Sequence, residues 1–359
     1  MANNIRLRDR DAVETAEGLI FRVFGYSHPK DAYLCDAEYA SAKIFQSKDP
    51  RAPREGKEKL YYKFYNDEGM KLVAKQYPQY LVYHEMLGLN LIGVKNSDIA
   101  EARKPEVRLQ ELLKKGPTDE LLEAMERVLK ISLENSGLDS GSFGVFGSML
   151  HDFHHPKYSD IDFIVYGKEA NVKIRNALQT LYTEPHSGLQ NEFESEKVMA
   201  GKDWRFQNFT VKDFVWHQRR KTIYGLYDDT SHSGRIIKTE FEPVKAWNEI
   251  KSEYDPRTCI TKRGWVKLKA RITNDDEAPF IPSIYDIEPL EVINGPKEAL
   301  EAKRIFSYME EFRLQAQKDE EVIIEGTLEE VSSPKEIFFQ ITFTYCPRYY
   351  EQVLKVMHN

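Results

Sequence analysis

No stretch of this sequence approaches the run of ~20 apolar residues that a membrane-crossing helix needs. Its beginning also lacks the basic start and apolar core of a secretory signal, because Arg8, Asp9, Arg10, Asp11 and Glu14 occupy the first thirty residues. A cytoplasmic protein is expected. Cysteine is scarce: Cys35, Cys259 and Cys346 stand far apart with no Cys-x-x-Cys, which suggests neither a zinc ribbon nor a disulfide framework. An excess of basic charge is missing too. The formal net charge is −7, which argues against a protein wrapped nonspecifically in nucleic acid. No internal repeat is present, and 359 residues of ordinary apolar and charged content suit two or three soluble globular domains.

The most informative stretch is Phe143-Gly144-Val145-Phe146-Gly147-Ser148, followed by Ser159-Asp160-Ile161-Asp162-Phe163-Ile164-Val165. A strand ending in Gly-Ser feeds a loop, and a second strand then presents two carboxylates. Side chains alternate along a strand, so Asp160 and Asp162 share a face while Ile161 is sent into the core. Two hard oxygen ligands converging in this way suit a divalent cation shared with substrate phosphates. Gly147 lets backbone approach a phosphate, and Ser148 adds a hydroxyl beside it. An isolated Asp-x-Asp is more often a solvated turn, but these carboxylates precede Phe163-Ile164-Val165-Tyr166, a run that reads as buried on both faces. Like charges at a buried strand end raise each other's pKa unless a cation neutralises them.

Gly-Ser, a short spacer and Asp-x-Asp resemble the signature of the DNA polymerase β superfamily of nucleotidyltransferases. The overall layout is also similar to archaeal proteins described as predicted nucleotidyltransferases, through Arg8-Asp9-Arg10-Asp11 and Gly25-Tyr26-Ser27-His28-Pro29. The resemblance implies an α+β fold whose nucleotidyltransferase core has a mixed sheet. It implies transfer of a nucleoside monophosphate from an NTP, ATP among the candidates, to an acceptor hydroxyl, with release of pyrophosphate. Two Mg²⁺ ions, or Mn²⁺, would be held by Asp160, Asp162 and a third carboxylate from a later strand. For that third ligand Glu240 is favoured, on the strand Arg235–Glu242, because Pro243 suggests that Glu242 sits at the strand's end; the superfamily usually has Asp here. Glu242, Asp203 and Asp213 remain rivals. A missing third ligand would leave a catalytically inactive RNA- or nucleotide-binding protein.

Three segments are expected along the chain. Residues 1–104 read as an N-terminal α/β domain, with strands at Gly18–Phe24 and Lys59–Tyr65, a loop over 46–59, and a helix at Glu68–Gln76. Residues 105–254 form the core. Pro105 begins a linker, helical spacing runs over Leu109–Leu113, and a second helix starts at an N-cap Thr118 and closes at Asn135-Ser136-Gly137. A further helix is expected over 171–182. Residues 255–359 read as a small β-barrel-like domain with strands at 264–272, 322–328 and 337–343 and some helical character over 297–312, and barrels of this size often bind oligonucleotides.

The remaining candidates are polar. His151, His154 and His155 in the loop before Asp160 invite a zinc reading, but no cysteine lies nearby in sequence to complete four ligands. Lys157 and Ser159 in that loop are expected near the triphosphate. Arg219, Arg220 and Lys221 offer cations for phosphate, and Tyr224 a ring for the base. Lys202, Arg205 and Arg219–Lys221 form one basic stretch, and Lys262, Arg263, Lys267, Lys269 and Arg271 another, with Trp204, Trp216 and Trp265 among them. Rings interleaved with cations suit a single-stranded nucleic acid or a stacked base, and with the flanking domains they favour a nucleic-acid acceptor, RNA first, over a protein or small molecule. Solvated surface charge is the competing account of both stretches.

Overall fold

The structure is a computed structural model that describes residues 5–56 and 59–357. Residues 57 and 58 of the expected first loop, and the extreme ends of the first and last expected domains, lie outside the described residues. In chain order the strands and helices that matter first are β1 (Ala12–Glu14), β2 (Leu19–Val23), β3 (Ala32–Ser41), β4 (Pro53–Glu55), β5 (Leu60–Lys63), α1 (Glu68–Gln76), β6 (Leu81–His84), β7 (Leu89–Lys95) and β8 (Glu101–Arg103). There follow α2 (Pro105–Lys115), α3 (Glu120–Ser136), β9 (Phe143–Val145), α4 (Gly147–Leu150), β10 (Ile161–Tyr166), α5 (Lys168–Leu181), β11 (Leu189–Asn191), α6 (Val211–Arg220), β12 (Tyr224–Asp229) and β13 (Arg235–Val244). The last strands are β14 (Cys259–Glu277), β15 (Ser283–Asn294), β16 (Ala302–Ser307), β17 (Glu321–Ser332), β18 (Ile337–Phe343) and β19 (Val353–Val356). The fold is mixed α and β with several sheets. Among the described residues, no helix is long and apolar enough to cross a membrane.

Contacts divide the chain into two units. The first comprises 1–84, 88–177 and 227–254; the second comprises 85–87, 178–226 and 255–359. In the first unit β1 to β8 form one antiparallel sheet, and among the described residues before Lys104 the α-helix is α1, so the expected α/β character reduces to hairpins plus one helix. A short strand, β4, occupies part of the expected loop and pairs with β5. The boundary expected near 104 falls inside this unit. Pro105 opens α2 rather than a linker, since Pro suits the first helical position. Gly144 of β9 lies so close to the Pro105 backbone that a Cβ there would sit 2.7 Å from it.

The helices carry their own punctuation. In α3 the buried residues Leu121, Leu122, Met125, Val128 and Leu129 follow the helical period, and Gly137 ends the helix at φ 66. Its N-cap is Asp119, not Thr118. One oxygen of that carboxylate accepts the N–H groups of Leu121 and Leu122, leaving the other for His154 at 3.0 Å.

The Arg8–Asp11 run is buried. Arg8 meets Glu106 at 3.0 Å and lies 3.6 Å from the centre of the Tyr166 ring, and Arg10 meets Glu242 at 2.9 Å. Asp11 accepts the Arg8 N–H at 3.0 Å. Burial, followed by the neighbouring Glu106, lifts Asp11 from its ordinary 3.8 to about 8. Between those values the folded chain keeps a proton that the unfolded chain has released, so this contribution to stability is lost as pH rises towards 8. Denaturant midpoints measured at pH 5 and pH 9 are expected to fall more for the wild type than for Asp11→Asn; equal falls would refute the shift.

In the second unit β14 pairs with both β15 and β17, β15 continues to β16, and β16 to β18, which pairs back with β17; β19 adds to β17. The pairings therefore run in a circuit around a core that includes Val266, Leu268, Tyr285, Ile305, Phe312, Ile324 and Phe343. Residues 302–307, expected within a partly helical stretch, form β16 instead. The helical content nearby is limited to single 3₁₀ turns at Lys297–Glu301 and Glu310–Phe312.

Candidate active site

The site grows from three adjacent strands of the first unit. β10 pairs antiparallel with β9 and parallel with β13, so the sheet is mixed at this point. Phe163 of β10 stacks on Phe241 of β13, with ring centres 5.5 Å apart, and anchors the buried face. Ile161 is fully buried, as strand alternation implies. The register sets Asp162 directly beside Glu240. Neighbouring strands lie about 4.8 Å apart, so these two side chains leave the sheet on one face as a pair. Asp160 precedes β10 by one residue and shares that face.

The Gly-Ser end of β9 differs from the expected loop. Gly147 and Ser148 open the single turn α4, and Gly147 adopts φ 60. A Cβ at Gly147 would lie 2.6 Å from an Asp162 carboxylate oxygen. The glycine thus seats the carboxylate itself. The Phe146 N–H donates to the Asp162 carbonyl at 3.1 Å, tying the same two segments through backbone.

The loop that carries the chain from α4 to Asp160 is pinned from several sides. Arg108 meets Asp152 at 2.8 Å, and His154 meets Asp119 at 3.0 Å. Arg235 donates to the carbonyls of Pro156 and Ser159, each at 2.8 Å. The Ser159 hydroxyl accepts the His155 N–H at 2.9 Å. Lys157 is exposed, and its N–H donates to the His155 ring at 3.1 Å. His151 is buried against Arg103, which donates to its Nδ1 at 2.9 Å; burial and that cation push its pKa down to about 3. All three histidines therefore have partners: His151 in Arg103, His154 in Asp119 and His155 within the loop itself. Among the described residues no three His, Cys, Asp or Glu side chains group tightly enough to hold a metal alone.

These parts surround a cleft of about 820 Å³, lined by Gly147, Ser148, His154, His155, Tyr158, Ser159, Asp160 and Asp162, together with Tyr39, Arg51, Pro53, Arg54, Glu55, Lys63 and Phe153. Asp162 is held well above the ordinary carboxylate range, first by burial and then by the carboxylates of Glu240 and Asp160. Asp160 is shifted upward as well, by desolvation, against the lowering influence of Lys238, Arg235 and Lys63. Glu240 meets Lys238 at 2.6 Å. Three carboxylates are thus crowded beside one another, with Lys238, Arg235 and Lys63 acting against the upward shifts.

The rivals for the third carboxylate are engaged elsewhere. Glu242 is not at the strand's end, since β13 continues to Val244, and its carboxylate forms the buried pair with Arg10. In the second unit Asp203 pairs with Arg205 at 2.9 Å, and Asp213 closes the capping box of α6 and meets Lys355 at 2.7 Å. The cationic candidates of that unit are likewise occupied. Arg219 meets Glu194 at 2.8 Å, and Arg220 meets Glu320 at 2.5 Å with its guanidinium over Trp216. Lys221 has no exposure and donates to the Glu311 carbonyl at 2.6 Å, and the Tyr224 ring packs edge-on to Phe193. Each of these four has a partner within the second unit.

Four of the five cations of the second basic stretch form ion pairs along their strands. Arg263 meets Glu330, Lys267 meets Glu325, Lys269 meets Glu321 and Arg271 meets Glu288, at 2.7, 3.2, 2.7 and 3.3 Å. The tryptophans are also placed: Trp204 and Trp216 pack on the second unit's core, and Trp265 lies under Arg348. Sequence reasoning missed Arg51, Arg54 and Lys63, which line the cleft from a segment roughly a hundred residues before the motif.

Residues 125–241 match the model of the nucleotidyltransferase domain. The chain carries a nucleotidyltransferase domain. It is a nucleotidyltransferase enzyme, with nucleotidyl transfer as its general activity, and the matched range contains Gly147, Ser148, Asp160, Asp162 and Glu240. The chain is 29% identical over 330 residues to an uncharacterized protein of Methanocaldococcus jannaschii, covering 91% of this chain and 92% of that one. No solved structure matches the chain significantly.

Proposed function

We propose that this nucleotidyltransferase moves a nucleoside monophosphate from an NTP to an acceptor hydroxyl in a metal-dependent reaction that releases pyrophosphate. The observation that carries the reading is that Gly147, Ser148, Asp160 and Asp162 line one cleft, with Glu240 beside Asp162 in the register of the neighbouring strand. Carboxylate oxygens are the donors that a hard divalent cation such as Mg²⁺ or Mn²⁺ takes, and substrate phosphates would have to complete its shell, because among the described residues no three such side chains group tightly enough to hold a metal alone. Asp160, Asp162 and Glu240 would hold it, and when bound it would neutralise triphosphate charge and lower the pKa of the acceptor hydroxyl. Glu240 takes the proton of that hydroxyl. Ser148 and the backbone at Gly147 orient the phosphates, and the Arg235 clamp on Pro156 and Ser159 keeps the loop, hence Asp160, in place.

The expectation of a nucleic-acid acceptor, RNA first, rests in part on two basic stretches, and most of those cations are bound to glutamates within the second unit. The acceptor is therefore given only as a hydroxyl. The test is to incubate the full chain with each α-labelled NTP, Mg²⁺ or Mn²⁺, and RNA, DNA or protein in parallel. Label is expected on one acceptor class, with pyrophosphate released in equal amount. Nucleotide binding without transfer in any arm would leave an inactive nucleotide-binding protein as the better account.

A further inference from the structure

We infer that the β4–β5 segment, which lies outside the matched nucleotidyltransferase range, supplies the cations that grip the substrate's triphosphate, through Arg54 and Lys63. This rests on the nucleotidyl-transfer reading and assigns the phosphate subsite within it. A triphosphate brings several negative charges to a cleft already lined by Asp160 and Asp162, so fixed cations are needed beside the metal. The nearby cations are mostly committed. Arg235 holds loop carbonyls, Lys238 pairs with Glu240, and Arg51 pairs with Asp49 through two bonds of 3.0 and 2.7 Å.

Arg54 and Lys63 differ. Both line the cleft, and among the described residues neither forms an ion pair within 4.0 Å. One nitrogen of the Arg54 guanidinium donates to the carbonyls of Arg51 and Pro53 at 2.5 and 2.9 Å, which sets the direction of the fork while leaving its other N–H groups for phosphate oxygens. Lys63 acts electrostatically on both Asp160 and Asp162, so its ammonium stands near the carboxylates where the triphosphate would lie.

The segment is also held rigidly. β5 pairs with β3, with Lys63 opposite Tyr39, and the Lys63 N–H donates to Ala52 at 2.8 Å. Tyr39 and Tyr61 pack with Leu150 and Phe153, which come from α4 and the loop after Ser148. Just after β4, a Cβ on Gly56 would lie 3.1 Å from the Phe153 ring, so that residue sits tightly against the motif loop. The apolar cluster thereby fixes two cations of the N-terminal sheet to the phosphate-facing loop, which is the preorganisation that an anion grip requires.

The test compares binding of the NTP selected by the labelling assay with binding of its monophosphate, to the full chain with Mg²⁺, by calorimetry. In Arg54→Gln and Lys63→Gln, the preference for triphosphate over monophosphate is expected to shrink about tenfold for each lost cation, with monophosphate affinity retained. Lys63→Arg, which keeps the charge, is expected to hold the preference, and thermal melts report folding of each variant. An unchanged preference in both Gln variants, or equal weakening of both nucleotides in a folded variant, would overturn the assignment while leaving nucleotidyl transfer intact. If the wild-type chain binds no NTP and labels no acceptor, the failure lies with the proposed activity itself.

Discussion

Asp160→Asn with Asp162→Asn is expected to lower nucleotidyl transfer by roughly a thousandfold or more, because it removes the carboxylates proposed to hold the cation, and that charge stabilisation is worth several kcal/mol. The fold should not suffer. Asp162 is half-buried, and desolvation followed by the neighbouring carboxylates of Glu240 and Asp160 holds it well above the ordinary carboxylate range. Without a cation, the native state resists losing that proton, so stability falls as pH rises above the unfolded carboxylate range. The double Asn variant lacks this liability. Its denaturant midpoint at pH 8, measured without metal, should equal or exceed that of the wild type, and the difference should shrink towards pH 4. Full retained transfer by the folded variant would remove these residues from the chemistry. Unfolding would instead make them structural.

What the sequence makes legible follows from local physics. Alternation alone buries Ile161, and the 3.6-residue period finds α1 at 68–76 and the apolar stripe of α3. β18 at 337–343 is bounded by turn residues and reads directly. What escapes has no local signal. Arg10 and Glu242 are 232 positions apart, so nothing near Pro243 reveals that Glu242 is committed to a buried pair. Lys221 follows two arginines and reads as part of a cationic surface, yet the carbonyl that buries it belongs to Glu311. β15 carries Pro289 and alternates acidic with apolar residues unevenly, and its register shifts against β14 hide the period of two. Arg54 and Lys63 enter the cleft only because an antiparallel sheet carries them there. The motif itself was legible because its chemistry needs residues close in sequence, whereas the groups that surround it are gathered by the fold.

Gly147→Val is expected to be nearly as damaging as loss of Asp162, for a reason beyond the approach of backbone to phosphate. Gly147 sits at φ 60, where a side chain costs about 1–2 kcal/mol and a β-branched one more. Its missing Cβ also leaves the space into which Asp162 points: the 2.6 Å separation from the carboxylate oxygen is far inside van der Waals contact. Valine would therefore have to push Asp162 away from Glu240 as well as block the phosphates. Transfer is expected to fall by roughly a hundredfold or more, since misplacing a reacting group by about 1 Å has that scale of effect. A double-mutant cycle separates the two causes. Gly147→Ala should destabilise the wild-type chain by the backbone cost plus the clash, but in an Asp162→Ala background by the backbone cost alone. The clash is then read as a coupling energy of about 0.5–3 kcal/mol, the range for residues in contact, with the double variant less destabilised than the sum of the two single variants. Additive effects would mean that the carboxylate yields freely to a methyl group, and the glycine would be left with its conformation and its phosphate-facing role as the only reasons for its place.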